Sequence, residues 1–228
     1  MVTGGCGFIG SHIVDKLIDE NYQVGVVDNL LTGKLEHLSP IVTFYNCDIV
    51  DLNFLKVVED FQPEFIIHQA AQVSVPVSIN NILLDADINI KGTSQVIDAA
   101  RRNKVKKIVF ASSAAVYGDP QYLPIDENHP INPKSPYGLS KYTAELYLQL
   151  ARNLYGIDYT ILRYSNVYGP RQDSQGEGGV VSIFINKLIR GECPTIFGDG
   201  EQTRDFVYVE DVAMANVNAL KFGENGIF

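Results

Sequence analysis

Residues 3–10 read Thr3-Gly4-Gly5-Cys6-Gly7-Phe8-Ile9-Gly10, with Gly4, Gly7 and Gly10 spaced by three. A strand that turns directly into a helix needs one glycine for the backbone angles of the turn. A second lets a pyrophosphate approach the backbone, and a third lets the helix pack on the sheet. The helix that follows presents unpaired N–H groups to the phosphates. Such a pattern alone also describes an ordinary flexible turn, so its context decides. Residues 11–21 place Ile13, Val14, Leu17 and Ile18 on one helical face, and residues 22–27 form a β-branched burst. Asp28 follows at once, where a carboxylate accepts hydrogen bonds from an adenosine ribose and repels a 2′-phosphate. The unit therefore predicts dinucleotide binding, with NAD favoured over NADP.

Outward from this unit, further apolar bursts stand at 42–45, 65–68, 107–111 and 160–164. Segments of helical period at 85–103 and 135–155 lie among them. Strands alternating with helices predict an α/β fold, a Rossmann-type doubly wound parallel sheet covered on both faces. From about Gly169 glycines and charges cluster at 172–179 and 198–205, which read as loops around a cleft, and 210–220 reads as a helix begun by Glu210 or Asp211. The chain thus divides into a dinucleotide-binding part, 1–165, and a smaller substrate-binding part, 166–228. Only Met1, Val2 and Thr3 precede the glycine turn, against an ordinary strand of about 5–6 residues. Residues 226–228 begin a further strand, so the C-terminal region reads as truncated.

Composition narrows the function classes. The 228 residues are 46% hydrophobic and 20% charged, a balance that builds a core rather than a disordered chain. A net charge of −9 disfavours nucleic acid or an anionic membrane as partner. Cys6, Cys47 and Cys193 are odd in number and match no zinc spacing, which predicts a reduced, cytoplasmic protein without a metal site. Neither a signal peptide nor an apolar run long enough to span a bilayer is seen.

The chemistry concentrates in Tyr137-Gly138-Leu139-Ser140-Lys141, which puts a tyrosine and a lysine at i and i+4 on one helical face. A phenol near pKa 10 is a poor base at neutral pH. An ammonium about 4 Å away, at an effective dielectric near 20, contributes on the order of 4 kcal/mol. That lowers the phenol's pKa by about three, and a positive nicotinamide ring acts in the same sense. The spacing also describes a solvated helix face, but here it follows the strand-end serines Ser112 and Ser113. In a parallel sheet the carboxyl ends of strands line the ligand crevice, and a serine there either bonds the reacting oxygen or caps a turn. Asp48, with Ile49, either borders an adenine or caps its own loop. His68 ends an apolar strand and reads as a core residue outside the chemistry.

Together these stretches resemble the extended short-chain dehydrogenase/reductase family, in particular its UDP-glucose 4-epimerase branch. The resemblance runs through TGGCGFIGSH (3–12), VVDNLLTGK (26–34), CDI (47–49), HQAAQVSV (68–75), NIKGT (89–93), SSAAVYG (112–118), SPYGLSK (135–141), LRYSNVYGPRQ (162–172) and IFGDGEQTRDFVYVEDVA (196–213). It implies NAD as cofactor, with Gly4, Gly7, Phe8, Ile9 and Gly10 at the pyrophosphate and Asp28 and Asn29 at the adenosine ribose. Asp48 and Ile49 would border the adenine. Ala70, Ala71, Gln72 and Asn89 would line the cofactor, and Tyr164 and Ser165 would approach the nicotinamide. Ser113, Tyr137 and Lys141 would be catalytic, Ser113 touching substrate and Lys141 also the nicotinamide ribose. Asn166, Val180, Phe197 and Arg204 would hold the nucleotide diphosphate, although Val180 and Phe197 read equally as core.

The implied reaction is transient oxidation of a UDP-sugar at C4, with a homodimer formed through the helices near 85–103 and 135–155. Dehydratases of the family carry an Asp-Glu pair after the active-site serine or threonine, where Ala114 and Ala115 stand here. A glutamate before Val-Tyr-Gly, typical of decarboxylases, is likewise replaced by Ala115. The expected function is a UDP-hexose 4-epimerase. The alternatives are a UDP-N-acetylhexosamine 4-epimerase, another NAD(P)-dependent sugar-nucleotide reductase or dehydratase, and a non-catalytic NAD-binding fragment.

Overall fold

Hydrophobic alternation along the short strands decides how this chain layers. In the computed structural model, which describes residues 1–173 and 179–228, neighbouring strand residues point to opposite faces. Val27, Ile66 and Ile108 join one core, while Val26, Ile67 and Val109 join the other. The strands are β1 (Val2–Thr3), β2 (Gly25–Asp28), β3 (Thr43–Asn46), β4 (Phe65–His68), β5 (Lys107–Ser113), β6 (Asp158–Tyr164), β7 (Asn166–Tyr168), β8 (Phe206–Tyr208) and β9 (Gly226–Ile227). Seven of them form one sheet in the order β3-β2-β1-β4-β5-β6-β9, and β7 pairs with β8 beside it. Every pairing is parallel. The order reverses between β1 and β4, and a ligand crevice opens there, at the carboxyl ends of the strands.

The helices are α1 (Phe8–Asp19), α2 (Phe54–Phe61), α3 (Val75–Asn80), α4 (Ile82–Ala86), α5 (Gly92–Arg102), α6 (Pro136–Tyr155), α7 (Val180–Ile189) and α8 (Val209–Asn218). One core holds Phe54, Val58, Val96 and Leu148 of α2, α5 and α6 against the sheet. The other holds Ile13, Val14 and Leu17 of α1 beside Ala213 and Val217 of α8. Each fully buried Ile or Leu contributes about 1.5–3 kcal/mol. Among the described residues, no helix is long and apolar enough to cross a membrane.

Two local results differ from the sequence expectation. Helix α1 begins at Phe8, three residues before Ser11, because the glycine turn runs straight into it. The helix expected over 85–103 is present and continuous, but it begins earlier, at Ile82, and a π-helical turn over Asp87–Lys91 lies between α4, which ends at Ala86, and α5, which starts at Gly92. A Cβ on Gly92 would lie 2.6 Å from Ile49 Cδ1, so α5 starts close against the core and a larger residue there would require the Ile49 side chain to shift. The loop expected at 172–179 lies, over 174–178, outside the described residues. By contrast, 135–155 folds nearly as read. Ser135 Oγ accepts from Gly138 N at 3.1 Å, Pro136 opens α6, and Gly156 closes it with φ +73°.

Candidate active site

The glycine turn is held by contact. Gly4 has φ +69°, and a Cβ there would meet Ala70 N at 2.7 Å; one on Gly10 would meet Gly4 O at 2.1 Å. The first turn of α1 has no side-chain cap, so its N–H groups face the crevice without a side-chain partner. Asp28 is buried at the end of β2, and its two oxygens accept from Cys6 N at 2.9 Å and Leu30 N at 2.8 Å. A carboxylate has about four lone-pair sites, so capacity remains for further donors. Asn29 Nδ2 donates to Asp48 Oδ2 at 2.7 Å, and Asp48 Oδ1 accepts from Val50 N at 3.0 Å. Asp48 therefore caps its own loop and also positions Asn29. The side chain of Ile49 is packed in the core.

On the facing side Ala70, Ala71 and Gln72 leave β4. Gln72 N donates to Asn89 Oδ1 at 2.9 Å, and Asn89 Nδ2 returns a bond to Gln72 O at 3.0 Å. This two-way bridge fixes the strand-end loop to the π-helical turn. His68 lies beneath, fully buried. Thr93 Oγ1 donates to Asn89 O and so accepts from His68 Nε2 at 3.1 Å, which leaves Nδ1 to accept from Thr3 Oγ1 at 2.7 Å. Burial, with Lys141 adding to it, lowers the His68 pKa to about 3. It is a neutral core histidine, as expected.

Ser113, Tyr137 and Lys141 converge at the carboxyl end of β5. Lys141 Nζ donates to Ala111 O at 2.9 Å and lies 5.9 Å from the Tyr137 ring centroid and 5.1 Å from that of Phe110. Burial lowers its pKa to about 8, against Asp85 and Glu145, which act to raise it. Ser113 Oγ accepts from Ala115 N at 3.2 Å, and the residue is paired in register with Tyr164 of β6. The expected depression of the Tyr137 pKa is absent. Burial raises it and Asp85 adds to the rise, while only the Ser113 hydroxyl opposes. The lysine, aimed at Ala111 O, does not offset the desolvation.

Tyr164 closes the far wall. Its hydroxyl accepts from Gln69 Nε2 at 3.0 Å and Asn216 Nδ2 at 2.6 Å, and burial pushes its pKa up to about 12 against these two donors. Ser165 follows it. Asn166 of β7 donates from Nδ2 to Asp205 O at 3.0 Å, and Arg204 donates to Thr203 O at 2.7 Å; both are exposed. Val180 and Phe197 are 45% and 83% exposed, so neither is core. The chain after β7 is tied to α1, where His12 Nε2 donates to Pro170 O at 3.0 Å and Arg171 pairs with Asp15 at 2.8 Å.

Several polar residues behind the site escaped the sequence reading: Gln69, Asp85, Glu145, Arg163 and Asn216. Glu145 had a signal, because it stands four residues past Lys141 on the same face of α6. Asp85, four residues before Asn89, had a similar one. Nothing in spacing links Glu145 to Arg163.

The profile of the NAD dependent epimerase/dehydratase family matches residues 1–228. A protein of Methanocaldococcus jannaschii with a provisional UDP-glucose 4-epimerase name is 57% identical over 223 residues, covering 97% of this chain and 73% of that one. The structure of Thermotoga maritima UDP-glucose 4-epimerase with UDP-glucose superposes with a TM-score of 0.97 at 46% identity, covering 100% of this chain and 74% of that one. A UDP-N-acetylglucosamine 4-epimerase from Methanobrevibacter ruminantium, in complex with UDP-N-acetylmuramic acid, gives 0.94 at 42%, covering 99% and 74%. The chain belongs to the NAD dependent epimerase/dehydratase family, enzymes whose cofactor is NAD.

Proposed function

We propose that the chain interconverts UDP-glucose and UDP-galactose by transient oxidation at C4. The observation that carries this reading is the convergence of Ser113, Tyr137 and Lys141 beside the glycine turn, with no carboxylate following Ser113. Residues 114–116 form a short 3₁₀ turn of Ala114, Ala115 and Val116. A site without an acid at that turn supports redox at C4 over elimination. The cradle fits NAD: Gly4 and Gly10 leave no room for a Cβ, the first turn of α1 is uncapped, and Asp28 keeps acceptor capacity for a ribose. Residues 1–165 hold the cofactor in this reading, and 166–228 contribute to the sugar-nucleotide site.

Bound NAD supplies the hydride acceptor and, later, the hydride donor. Tyr137 removes the proton of the sugar 4-hydroxyl while Ser113 bonds the same oxygen. The Lys141 ammonium favours the tyrosinate. The resulting 4-keto sugar turns over while Asn166, Val180, Phe197 and Arg204 retain its diphosphate. Tyr137 then returns the proton to the C4 oxygen, and the configuration at C4 is inverted. Three free cysteines fit a reducing cytoplasm. The exposed Tyr147, Leu150, Leu154 and Tyr155 of α6, beside α5, support a homodimer through these helices. Sedimentation as a monomer at micromolar concentration would exclude the dimer.

A second reading, a UDP-N-acetylhexosamine 4-epimerase, draws support from the likeness to the Methanobrevibacter ruminantium enzyme. A coupled assay with UDP-galactose beside UDP-N-acetylgalactosamine, without added NAD, separates the two. Faster conversion of UDP-galactose is expected. The reverse ratio establishes the second reading, and no conversion of either sugar refutes both.

A further inference from the structure

We propose that Asp85 is a positioning residue for Tyr137 and Lys141, its buried carboxylate serving as counter-charge to the Lys141 ammonium while it anchors the Asn89–Gln72 bridge. The inference rests on the reaction proposed above for the same site.

Asp85, in the last turn of α4, is 1% exposed. Its Oδ1 accepts from Gln72 Nε2 at 2.8 Å and from Asn89 Nδ2 at 3.1 Å. Both donors are neutral amides, and among the described residues none of the ion pairs includes Asp85. Asn89 Nδ2 also reaches Ser140 Oγ at 3.1 Å, and Ser140 Oγ donates to Tyr137 O at 3.0 Å. The carboxylate is thus joined, through one side chain, to the residue between the two catalytic candidates. The π-helical turn makes the junction, placing Asn89 where it meets Gln72, Asp85 and Ser140 together.

Lys141 has the complementary surroundings. It is 4% exposed, its ammonium donates to the Ala111 carbonyl and lies over the rings of Phe110 and Tyr137, and none of these groups carries charge. A buried ammonium without an anion loses its proton. The titratable groups around it are His68 on β4, Tyr137 and Glu145 on α6, and Asp85 on α4. His68 is neutral. Glu145 is taken on both oxygens by Arg163, with Ser112 bonded to one of them. Asp85 remains as the carboxylate with no cation of its own. Its field acts to raise the pKa of Lys141 and also that of Tyr137.

The first test uses no substrate. With lysines labelled with ¹³C at Cε, the Lys141 signal, identified by its loss in Lys141→Arg, titrates near 8 in the parent. In Asp85→Asn the midpoint falls by about one pH unit, and in Asp85→Glu it returns toward the parent value. An unchanged midpoint in folded Asp85→Asn overturns the proposal. Turnover gives a second readout: both limbs of the kcat–pH profile move to lower pH in Asp85→Asn. A lower kcat with both limbs in place marks a merely structural residue and also overturns it. If Asp85→Asn does not fold, Asp85→Ser, smaller and equally uncharged, is measured in its place. A parent without epimerase turnover refutes the proposed reaction and leaves the lysine titration to decide Asp85.

Discussion

Glu145 and Arg163 form a two-pronged ion pair in the interior, with Arg163 Nη2 donating to Oε2 at 2.7 Å and Arg163 Nε to Oε1 at 3.0 Å. The pair joins α6 to β6. Ser112 on β5 bonds the same carboxylate, and Tyr117 Oη accepts from Arg163 Nη1 at 3.0 Å. Three elements that carry Ser113, Lys141 and Tyr164 are thereby fixed to one another. Removing one partner strands the other charge in the core, so Glu145→Ala is expected to cost about 3–5 kcal/mol. The double variant Glu145→Leu/Arg163→Leu recovers much of that loss, read as the urea midpoint of each protein at constant slope.

Tyr137→Phe removes the proton acceptor and leaves the ring in place. Epimerase turnover is expected to fall about 10²–10⁴-fold. NAD released on denaturation stays at the parent level, because the glycine cradle is untouched. Parent-like turnover in this variant refutes the mechanism.

Lys141, with a pKa of about 8, sets an alkaline limit. The ammonium is present below that pH and favours the tyrosinate; above it the lysine is neutral and the assistance ends. A profile of kcat from pH 6 to 10 is expected to decline through about 8. In Lys141→Arg the charge persists to higher pH, and that decline disappears from whatever activity remains.

His68 makes stability depend on acid. Its folded pKa of about 3 lies below the ordinary 6.5, so only the unfolded chain takes up a proton between those values. Stability is therefore intact above 6.5 and falls as pH drops toward 3. The loss reaches about 2 kcal/mol by about pH 5. Urea midpoints between pH 7 and 5 measure it, and His68→Asn, lower overall, is expected to show a flatter dependence.

The parts of the fold legible in sequence were those where the local pattern and the long-range partner agree. The apolar alternation of β4 and β5 and the Ser135, Pro136 and Gly156 signals of α6 are examples. The π-helical turn at Asp87–Lys91 was not legible, because the apolar period of 85–103 is that of one helix and carries no mark of such a turn within it. Likewise β7 and β8 are three residues each, and Asn166 meets Phe206 only through tertiary pairing. In the site, Tyr137 and Lys141 were read from their spacing, and their convergence with Ser113 is what the fold delivers. Their electrostatics were not readable. The direction of the Tyr137 pKa depends on burial and on Asp85, neither of which the four-residue spacing reveals.

Helix α8 seals the face of the sheet behind α1, and Lys221 just beyond it reaches Glu20 across a separation of 201 residues. The order of synthesis therefore runs against the order of assembly. The apolar stripe of Ile13, Val14 and Leu17 leaves the ribosome early and meets Val2, Val26 and Ile67 of the sheet, but the side of it that packs on Ala213 and Val217 waits until α8 has been made. A nascent chain stalled before α8 leaves that side of the stripe in water, where self-association competes with folding.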